Sequence, residues 1–129
     1  MRRPAPFLLV ALLLSGPRPE AHHSFAAEFD AAHPRTFAGG VVRMDWVNPH
    51  AVLTLDALDP GGPPVRWEIE LPPPAALRRR GLSPRDLVPG QRVVVKGYPA
   101  KDGRRWASTQ WLELPGGRRV VTGTPGVSN

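Results

Sequence analysis

The sequence predicts an all-β domain: a small OB-fold-like Greek-key barrel of five to six strands, with one short helix between strands 3 and 4. Three observations predict it. Apolar and polar residues alternate with a two-residue period in several short segments, and clusters of proline and glycine separate those segments. A helical pattern occurs once, after the third of these segments. A β-sandwich is the alternative, but the small number of strands favours the barrel.

The clearest strand covers residues 65–71, in which apolar residues alternate with arginine and glutamate. Residues 51–57 alternate in the same way, with Leu53 and Leu55 on one face. Between them, residues 59–64 read Asp-Pro-Gly-Gly-Pro-Pro, a dense cluster of turn-forming residues. These segments therefore predict a β-hairpin.

One strand is predicted before this hairpin and one helix after it. The strand covers residues 36–47 and contains Gly39 and Gly40, which predict a bulge or a bend of the kind that curls a sheet into a barrel. The helix covers residues 73–80, because proline is tolerated in a first helical turn and arginines favour the last turn. Gly81 is suited to end that helix.

Two longer strands and one short strand complete the pattern. Residues 91–98 and 106–114 predict a second hairpin, because the intervening Asp102-Gly103 pair favours a tight turn. A last short strand is predicted over residues 118–122, after a pair of glycines. The predicted order is therefore three strands, a short helix and two or three further strands.

The four tryptophans are divided between the core and the surface by this pattern. Trp67 and Trp46 are in phase with apolar neighbours, which predicts that both are buried. Trp106 and Trp111 are five residues apart in one strand, which predicts opposite faces. At most one of them is then expected in an exposed aromatic surface of the kind on which OB-folds stack single-stranded nucleic acid.

Residues 1–21 predict a secretory signal peptide. Two arginines precede an apolar stretch over residues 5–14, and a polar, proline-rich segment follows. The apolar stretch is about half the ~20 residues of a membrane-spanning helix. Cleavage after Ala21 fits its distance from that stretch, and the alternatives are cleavage after Glu20 or Ala26, or an uncleaved anchor.

We therefore expect a mature chain that is periplasmic or secreted, with a barrel domain over residues 22–122 and a flexible tail over residues 123–129. We expect a monomer without a membrane span after cleavage. The chain has no cysteine, which excludes disulfides, thiolate metal sites and a cysteine nucleophile. The net charge of +6 allows contact with anionic lipid or polymers but identifies no partner.

Histidines next to the predicted cleavage site carry the chemistry of greatest interest. Cleavage after Ala21 would make His22 the first residue, so that its α-amine and imidazole could chelate one metal ion. His50, between the first two strands, is the candidate for a third nitrogen donor, and His23 is an alternative donor. Such ligands favour copper(II), then zinc or nickel, so copper is the candidate cofactor. Cleavage after Glu20 would place His23 third from the amine, a spacing that also binds copper or nickel.

Other interpretations of these residues stay open. Histidines near a terminus are commonly just solvated, and the two terminal histidines could also pack against the barrel or contact a partner. Trp46, Asn48 and Glu70 are weaker candidates for ligand binding. Glu68 and Glu70 share one strand face, but no nucleophile motif, phosphate loop or metal-hydrolase helix accompanies this pair of carboxylates. We therefore predict no enzymatic activity.

Several motifs resemble those of the exported bacterial DUF6152 family, whose members are small proteins of uncharacterised function. In order, these motifs are AHHSFAAEFD (21–30), WVNPH (46–50), a tryptophan three residues before a glutamate (Trp67, Glu70), ALRRRG (76–81) and GYPAKDG (97–103). The resemblance implies export and a compact β-domain with the histidine motifs as family traits, and it implies no activity. The chain departs from the family pattern at Leu82, where tryptophan is expected, and at the three prolines before the helix.

Two functions are compatible with these observations. The first is a periplasmic, non-enzymatic β-barrel that binds a ligand, with copper as the candidate, through its mature N-terminus. The second is an envelope interaction module that binds a protein, polysaccharide or oligonucleotide without a metal. The second predicts an exposed aromatic and basic groove away from the histidines. The predicted signal peptide argues against a cytosolic nucleic acid as the partner.

Overall fold

The structure is a computed structural model that describes residues 25–58 and 61–123 of the chain. The predicted signal peptide, His22, His23 and the predicted tail beyond Gly123 lie outside these described residues. Within them, the helices and strands in chain order are α1 (Phe25–Glu28), β1 (Arg35–Asp45), β2 (Ala51–Ala57), β3 (Val65–Leu71), α2 (Pro74–Arg79), a 3-10 helix (Pro84–Asp86), β4 (Arg92–Pro99), β5 (Trp106–Glu113) and β6 (Arg119–Val121).

The predicted all-β barrel is confirmed. The strands follow the order β3-β2-β1-β4-β5-β6, and a parallel pairing of β3 with β5 closes the first five strands into a barrel. β6 pairs with the end of β5 and is an extra strand beside the closed barrel. This order, with α2 between β3 and β4, is the topology of an OB-fold.

The predicted boundaries of β2 and β3 agree with the structure at both ends, and those of α2 and the remaining strands agree within two residues. Two short helices were missing from the sequence prediction. They are α1, of four residues, and the 3-10 helix, of three. Both are too short to show a periodic apolar face, which is the signal that predicts a helix.

β1 forms the corner of the barrel. It pairs with β4 through its first half and with β2 through its second, and the two pairings overlap at Gly39 and Gly40. A Cβ atom on Gly39 would overlap the backbone carbonyl oxygen of Asp56, so glycine is required for β2 to approach this closely. The predicted bulge is present but lies two residues later, between Val41 and Arg43.

The core consists of the inward-facing residues of all strands together with apolar residues of the connection between β3 and β4. Leu77 of α2 is fully buried, so α2 closes one end of the barrel. Trp67 is buried in the core at 8% exposure, as predicted. Trp46 is only partly buried and packs against the edge of the core, so its predicted burial is met in part.

The prediction that Trp106 and Trp111 occupy opposite faces is wrong. Lys96 of β4 pairs with Trp111, whereas the next residue of β4, Gly97, pairs with Thr109, so β5 contains one extra residue. Such a bulge breaks the two-residue alternation. Trp106 pairs with the outward-facing Glu68, and Trp111 with the outward-facing Lys96, so both indoles belong to the outer face.

The connection from α2 to β4 is held by its polar side chains. Asp86 accepts hydrogen bonds from the backbone N–H and the hydroxyl of Ser83, both at 2.7 Å, and pairs with Arg118 at 2.6 Å. Arg118 also donates to the carbonyl of Gly81, 3.0 Å away. The turn between β5 and β6 is thereby joined to the end of α2.

Among the described residues no helix is long and apolar enough to span a bilayer.

Candidate functional site

The structure brings together two of the residues that the sequence singled out. Nδ1 of His50 lies 2.7 Å from Oε1 of Glu70. His50 directly precedes β2, and Glu70 is the penultimate residue of β3. Trp46 and Asn48 lie in the loop between β1 and β2 that leads to His50, and no hydrogen bond or ion pair of theirs is among the contacts of the described residues.

The contact between His50 and Glu70 is a consequence of strand register. Ala51 pairs with Leu71 and Val52 with Glu70, so His50 lies one step beyond the hairpin ladder. It is therefore a diagonal neighbour of Glu70 on the outer face, within reach of a long side chain. The two predicted strands, residues 51–57 and 65–71, have equal lengths, and pairing them end to end would have indicated that His50 and Glu70 are neighbours. From the sequence, Glu70 was only a weak candidate for ligand binding.

Glu70 is well covered, whereas His50 is accessible. The side chain of Glu70 is 18% exposed and that of His50 is 51% exposed. β3 lies between β2 and β5 at this point, and the hydroxyl of Thr109 donates to the backbone carbonyl of Glu70 at 2.7 Å. Thr109 is itself 1% exposed. The carboxylate is therefore attached to a part of the backbone that is held on both sides.

The charge of Glu70 is the main electrostatic feature of the site. Burial raises the pKa of Glu70 above its ordinary value, the adjacent His50 acts in the opposite direction, and the negative charge of Glu28 raises the pKa further. A partly buried carboxylate with a second carboxylate nearby is stabilised by a neighbouring cation or N–H donor. His50, 2.7 Å away, is the neighbouring group that acts in this direction.

Helix α1 attaches the N-terminal part of the described chain to the outer face of the barrel. The ring of Phe25 packs edge-on against Tyr98 at a centroid distance of 5.3 Å and against Phe29 at 5.1 Å. Lys101 reinforces this attachment, because its ammonium group donates to the carbonyl of Ala26 and its backbone N–H donates to that of Glu28, at 2.9 Å.

The attachment of α1 lies close to the pair of His50 and Glu70. Tyr98 of β4 pairs with Ser108 of β5, and Ser108 pairs in turn with Glu70 of β3. Glu28, in the last position of α1, is near enough to Glu70 to affect its pKa and makes an ion pair with Arg104 at 3.3 Å. No pattern in the sequence predicts that α1 lies near Glu70.

A metal ion would need donors beyond those that the described residues bring together. Among residues 25–58 and 61–123, no group of three or more histidine, aspartate or glutamate side chains is arranged to hold an ion. His50 and Glu70 form a pair, and His22 and His23 lie outside the described residues. His33 contacts Asp30 at 2.9 Å instead, and its side chain is 83% exposed.

A second feature of the outer face is a cleft of about 350 Å³ lined by Arg66, Glu68, Arg104, Arg105 and Trp106. Most of its positive charge is compensated within the protein. The guanidinium group of Arg66 binds both carboxylate oxygens of an aspartate in β2, at 2.9 and 3.0 Å, and Arg104 pairs with two acidic side chains. The indole N–H of Trp106 is buried and has no hydrogen-bond acceptor among the described residues.

The fold and the site together define a small closed β-barrel with an N-terminal helix attached to its outer face, and an accessible histidine paired with a partly buried glutamate. The chain belongs to DUF6152, described as a family of unknown function, whose model matches residues 11–109. No curated protein and no solved structure matches the chain. The comparisons therefore establish the family and leave the activity to be argued from the site.

Proposed function

We propose that the protein is an exported, periplasmic or secreted, non-enzymatic barrel that binds a metal ion, with copper(II) as the best candidate. The imidazole of His50 supplies one donor. The α-amine and imidazole of His22 supply two more after cleavage of the signal peptide behind Ala21, and His23 is an alternative donor. The observation that carries the proposal is the attachment of α1, which begins three residues after His22, beside His50 and Glu70.

The distances on the barrel are compatible with this ligand set. Tyr98, against which Phe25 packs, lies two strands away from Glu70 across the sheet, with Ser108 of β5 between them. Adjacent strands are about 4.8 Å apart, so this separation is on the order of 10 Å. Three extended residues span up to about 10 Å, which is the length of chain between Phe25 and His22. The chain between Phe25 and His22 is therefore long enough to extend from Tyr98 to the neighbourhood of Glu70, which supports the proposed ligand set.

The charge and the donor types both favour a divalent transition metal. Glu28 and Glu70 place negative charge beside the histidine, and this charge attracts a cation. Amine and imidazole nitrogens bind copper(II) more tightly than they bind zinc or nickel. Because the chain has no cysteine, no thiolate competes for the ion. The accessibility of His50 leaves room for an ion and its remaining ligands.

The position of the mature N-terminus is the first test. The protein is purified after export through its own signal sequence, and its intact mass is determined. We expect the mass of a chain that begins at His22. A chain that begins at Ala27 would lack half of α1 as well as both histidines, and would contradict the proposal.

Copper affinity is the second test, measured on correctly processed protein by competition with a chelator. We expect His22→Ala and His50→Ala each to weaken binding by at least about tenfold, because each removes a donor. His33→Ala is the matched control, since His33, like His50, is exposed and pairs with an acidic side chain. Equal affinity of the wild type and all three variants would refute the metal site.

The cleft beside Trp106 is the specific observation that favours the competing function, an envelope interaction module. The aromatic ring of Trp106 in a polar cleft suits a ligand such as a polysaccharide, and the compensated arginines make the cleft less suited to a polyanion. Binding of envelope polysaccharide that is lost in Trp106→Ala and unaffected by His50→Ala would favour this function over metal binding.

A further inference from the structure

We propose that the protein docks on anionic lipid bilayers through a basic part of its outer face. This basic surface lies on the outer side of β4, β5 and β6. It consists of three cationic and two apolar side chains: Arg92, Lys96, Arg119, Trp111 and Val121. The inference goes beyond the proposed metal site, because neither His50 nor Glu70 belongs to this surface.

The strand register places most of these side chains next to one another. Trp111 pairs with Lys96 of β4 on one side and with Val121 of β6 on the other. In the adjacent row, at the end of β5, Glu113 pairs with Arg119. Residues directly opposite each other on neighbouring strands share a face and are about 5 Å apart. Lysine, tryptophan and valine therefore form a continuous row across three strands.

The cations of the basic surface outnumber its carboxylates. Arg92 is exposed and lies four residues before Lys96 in a regular alternation, so both side chains point outward. Neither side chain makes an ion pair among the residues that the structure describes. Arg119 shares its charge with Glu113, at 3.0 Å. Three cations and the carboxylate of Glu113 leave an excess of two positive charges.

The end of the barrel beside β6 adds to this positive charge. Arg118 connects the start of β6 to the end of α2 and to the 3-10 helix, because it binds the carbonyl of Gly81 and the carboxylate of Asp86. Four further arginines in this connection are exposed and make no ion pair within the described part of the chain: Arg78, Arg79, Arg80 and Arg85. A summed positive potential of this kind attracts an extended anionic surface.

The apolar members of the basic surface distinguish a bilayer from a soluble polyanion. Val121 is 66% exposed although it lies in a strand, and it is next to the partly buried ring of Trp111. The guanidinium group of Arg119 lies over that ring, 4.0 Å from its centroid. Tryptophan is enriched at the boundary between lipid headgroups and acyl chains, and long cationic side chains extend from there to the headgroups. This combination therefore suits a bilayer with anionic headgroups.

The shape of this part of the barrel also favours an extended partner. The cavity that borders the basic surface has a volume of about 150 Å³, and Ala38, Arg92 and Val94 are among the residues that line it. Pockets that bind small organic molecules are commonly about 300–1,000 Å³. A small molecule in this cavity would leave Trp111 and Val121 uncovered, whereas a bilayer surface contacts the whole row.

Sedimentation of the mature protein with lipid vesicles tests the charged contacts. We expect binding to vesicles of phosphatidylglycerol mixed with phosphatidylcholine, no binding to phosphatidylcholine alone, and weaker binding as the salt concentration rises. Arg92→Gln and Lys96→Gln are each expected to weaken binding about fivefold, because each removes one cation from an anionic membrane surface. Arg105→Gln is the matched control, since Arg105 is exposed but lines the cleft beside Trp106.

Val121→Asp tests the apolar contact in the same assay. We expect it to weaken binding at least about fivefold, because it places a negative charge against anionic headgroups. Val47→Asp is the matched control, since Val47 is 52% exposed and lies in the loop between β1 and β2. Trp111→Phe is expected to lose the blue shift of tryptophan emission that the wild type shows on anionic vesicles. Thermal unfolding shows that each variant retains the fold.

Three results would overturn the inference. The first is no binding to anionic vesicles, or equal binding to both kinds of vesicle. The second is equal binding by the wild type, Arg92→Gln and Lys96→Gln, which would place the contact elsewhere. The third is equally tight binding of dextran sulfate without an effect of Val121→Asp, because the partner would then be a polymer. His50→Ala is expected to bind vesicles as the wild type does, so a failure of membrane docking and a failure of the metal site are distinguishable.

Discussion

At the scale of single residues, Glu70 and His50 on the outer face of the barrel do not fit a simple division into buried core and exposed surface. Glu70 points away from the core, and yet its side chain is largely covered. His50 is exposed, and yet its ring is paired. This combination is unusual for a strand position that merely faces solvent, because burying part of a carboxylate has a cost that a neighbouring donor must offset.

Gly39 is the residue whose replacement tests the corner of the barrel. Gly39→Ala is expected to destabilise the protein by about 1–3 kcal/mol, because the new methyl group would overlap the carbonyl of Asp56 and force β1 and β2 apart. Gly40→Ala is the control, since a Cβ atom there meets no atom within 4 Å. The free energy of unfolding in urea measures both changes. Equal losses in the two variants would show that the close approach at Gly39 is unimportant.

At the scale of helices and strands, the connection between α2 and β4 is the segment that polar contacts define most clearly. α2 ends at Arg79, Gly81 follows with a φ of +79°, and the N–H of Leu82 returns to the carbonyl of Leu77 at 3.0 Å. Ser83 then caps the 3-10 helix, and its hydroxyl and N–H donate to the carboxylate of Asp86. Capping of this kind explains why a proline-rich sequence has a defined path here.

Asp86 gives this connection a pH dependence. The hydroxyl hydrogen bond of Ser83 lowers the pKa of Asp86 below its ordinary value of 3.8, and the backbone N–H of Ser83 and the charge of Arg118 act in the same direction. A lowered pKa in the folded state means that this stabilisation is complete above the ordinary value and is lost as the pH falls through the folded value. The contribution is therefore present at neutral pH and absent in strong acid.

Asp86→Asn is accordingly expected to lower the free energy of unfolding at pH 7 by about 1–2 kcal/mol and to lower it by less at pH 2. Urea unfolding of the wild type and the variant at both pH values measures the difference. Asp45→Asn serves as the control, because its pair with Arg43 is exposed and is worth at most about 1 kcal/mol. A loss of equal size at both pH values would contradict an electrostatic role for Asp86.

At the scale of the whole molecule, the parallel pairing of β3 with β5 has the largest consequence. It closes the sheet, and it also places Glu70 between β2 and β5 and brings β4 within two strands of it. Glu28 of α1, which packs on β4, is thereby near enough to Glu70 of β3 to affect its pKa. Residues 38 positions apart in the sequence, such as Glu70 and Ser108, become neighbours through this single pairing.

Phe25 tests whether the attachment of α1 serves the site. Phe25→Ala removes the ring contacts to Tyr98 and Phe29, so we expect a loss of stability of about 0.5–1.5 kcal/mol per ring pair and a weaker affinity for copper with every proposed donor still present. Ala27→Ser, at an exposed position of the same helix, is the control. Calorimetric titration measures the affinity. Unchanged binding in Phe25→Ala would show that the terminal donors do not depend on the attachment.

Much of the fold could be predicted from the sequence, because each strand carries its own alternation and each turn its own breakers. The hairpin of β2 and β3 was predicted at both ends for this reason. Trp106 and Trp111 were wrongly predicted to lie on opposite faces, because a bulge in β5 leaves no mark in the alternation on either side of it. α1 was missed because four residues cannot show a helical period.

The candidate site could be predicted only in part. The sequence identified His50 by its position in a turn and Glu70 by its strand face, and it identified the terminal histidines from the predicted cleavage site. It did not connect Glu70 to His50, since that contact depends on a diagonal relation between two strands and on the covering of β3 by β5. The positions of His22 and His23 remain predictions, because both lie outside the described residues.

The sequence by itself determined the local properties of this protein: where the strands begin and end, the single helix that closes the barrel, the absence of cysteine and the chemistry of the histidines. These properties follow from spacing and residue type over a few positions. Only the tertiary structure decided which outward-facing residues meet. Closure of the barrel by β3 and β5 and the attachment of α1 are long-range contacts, and burial, pairing and the altered pKa of Glu70 depend on them.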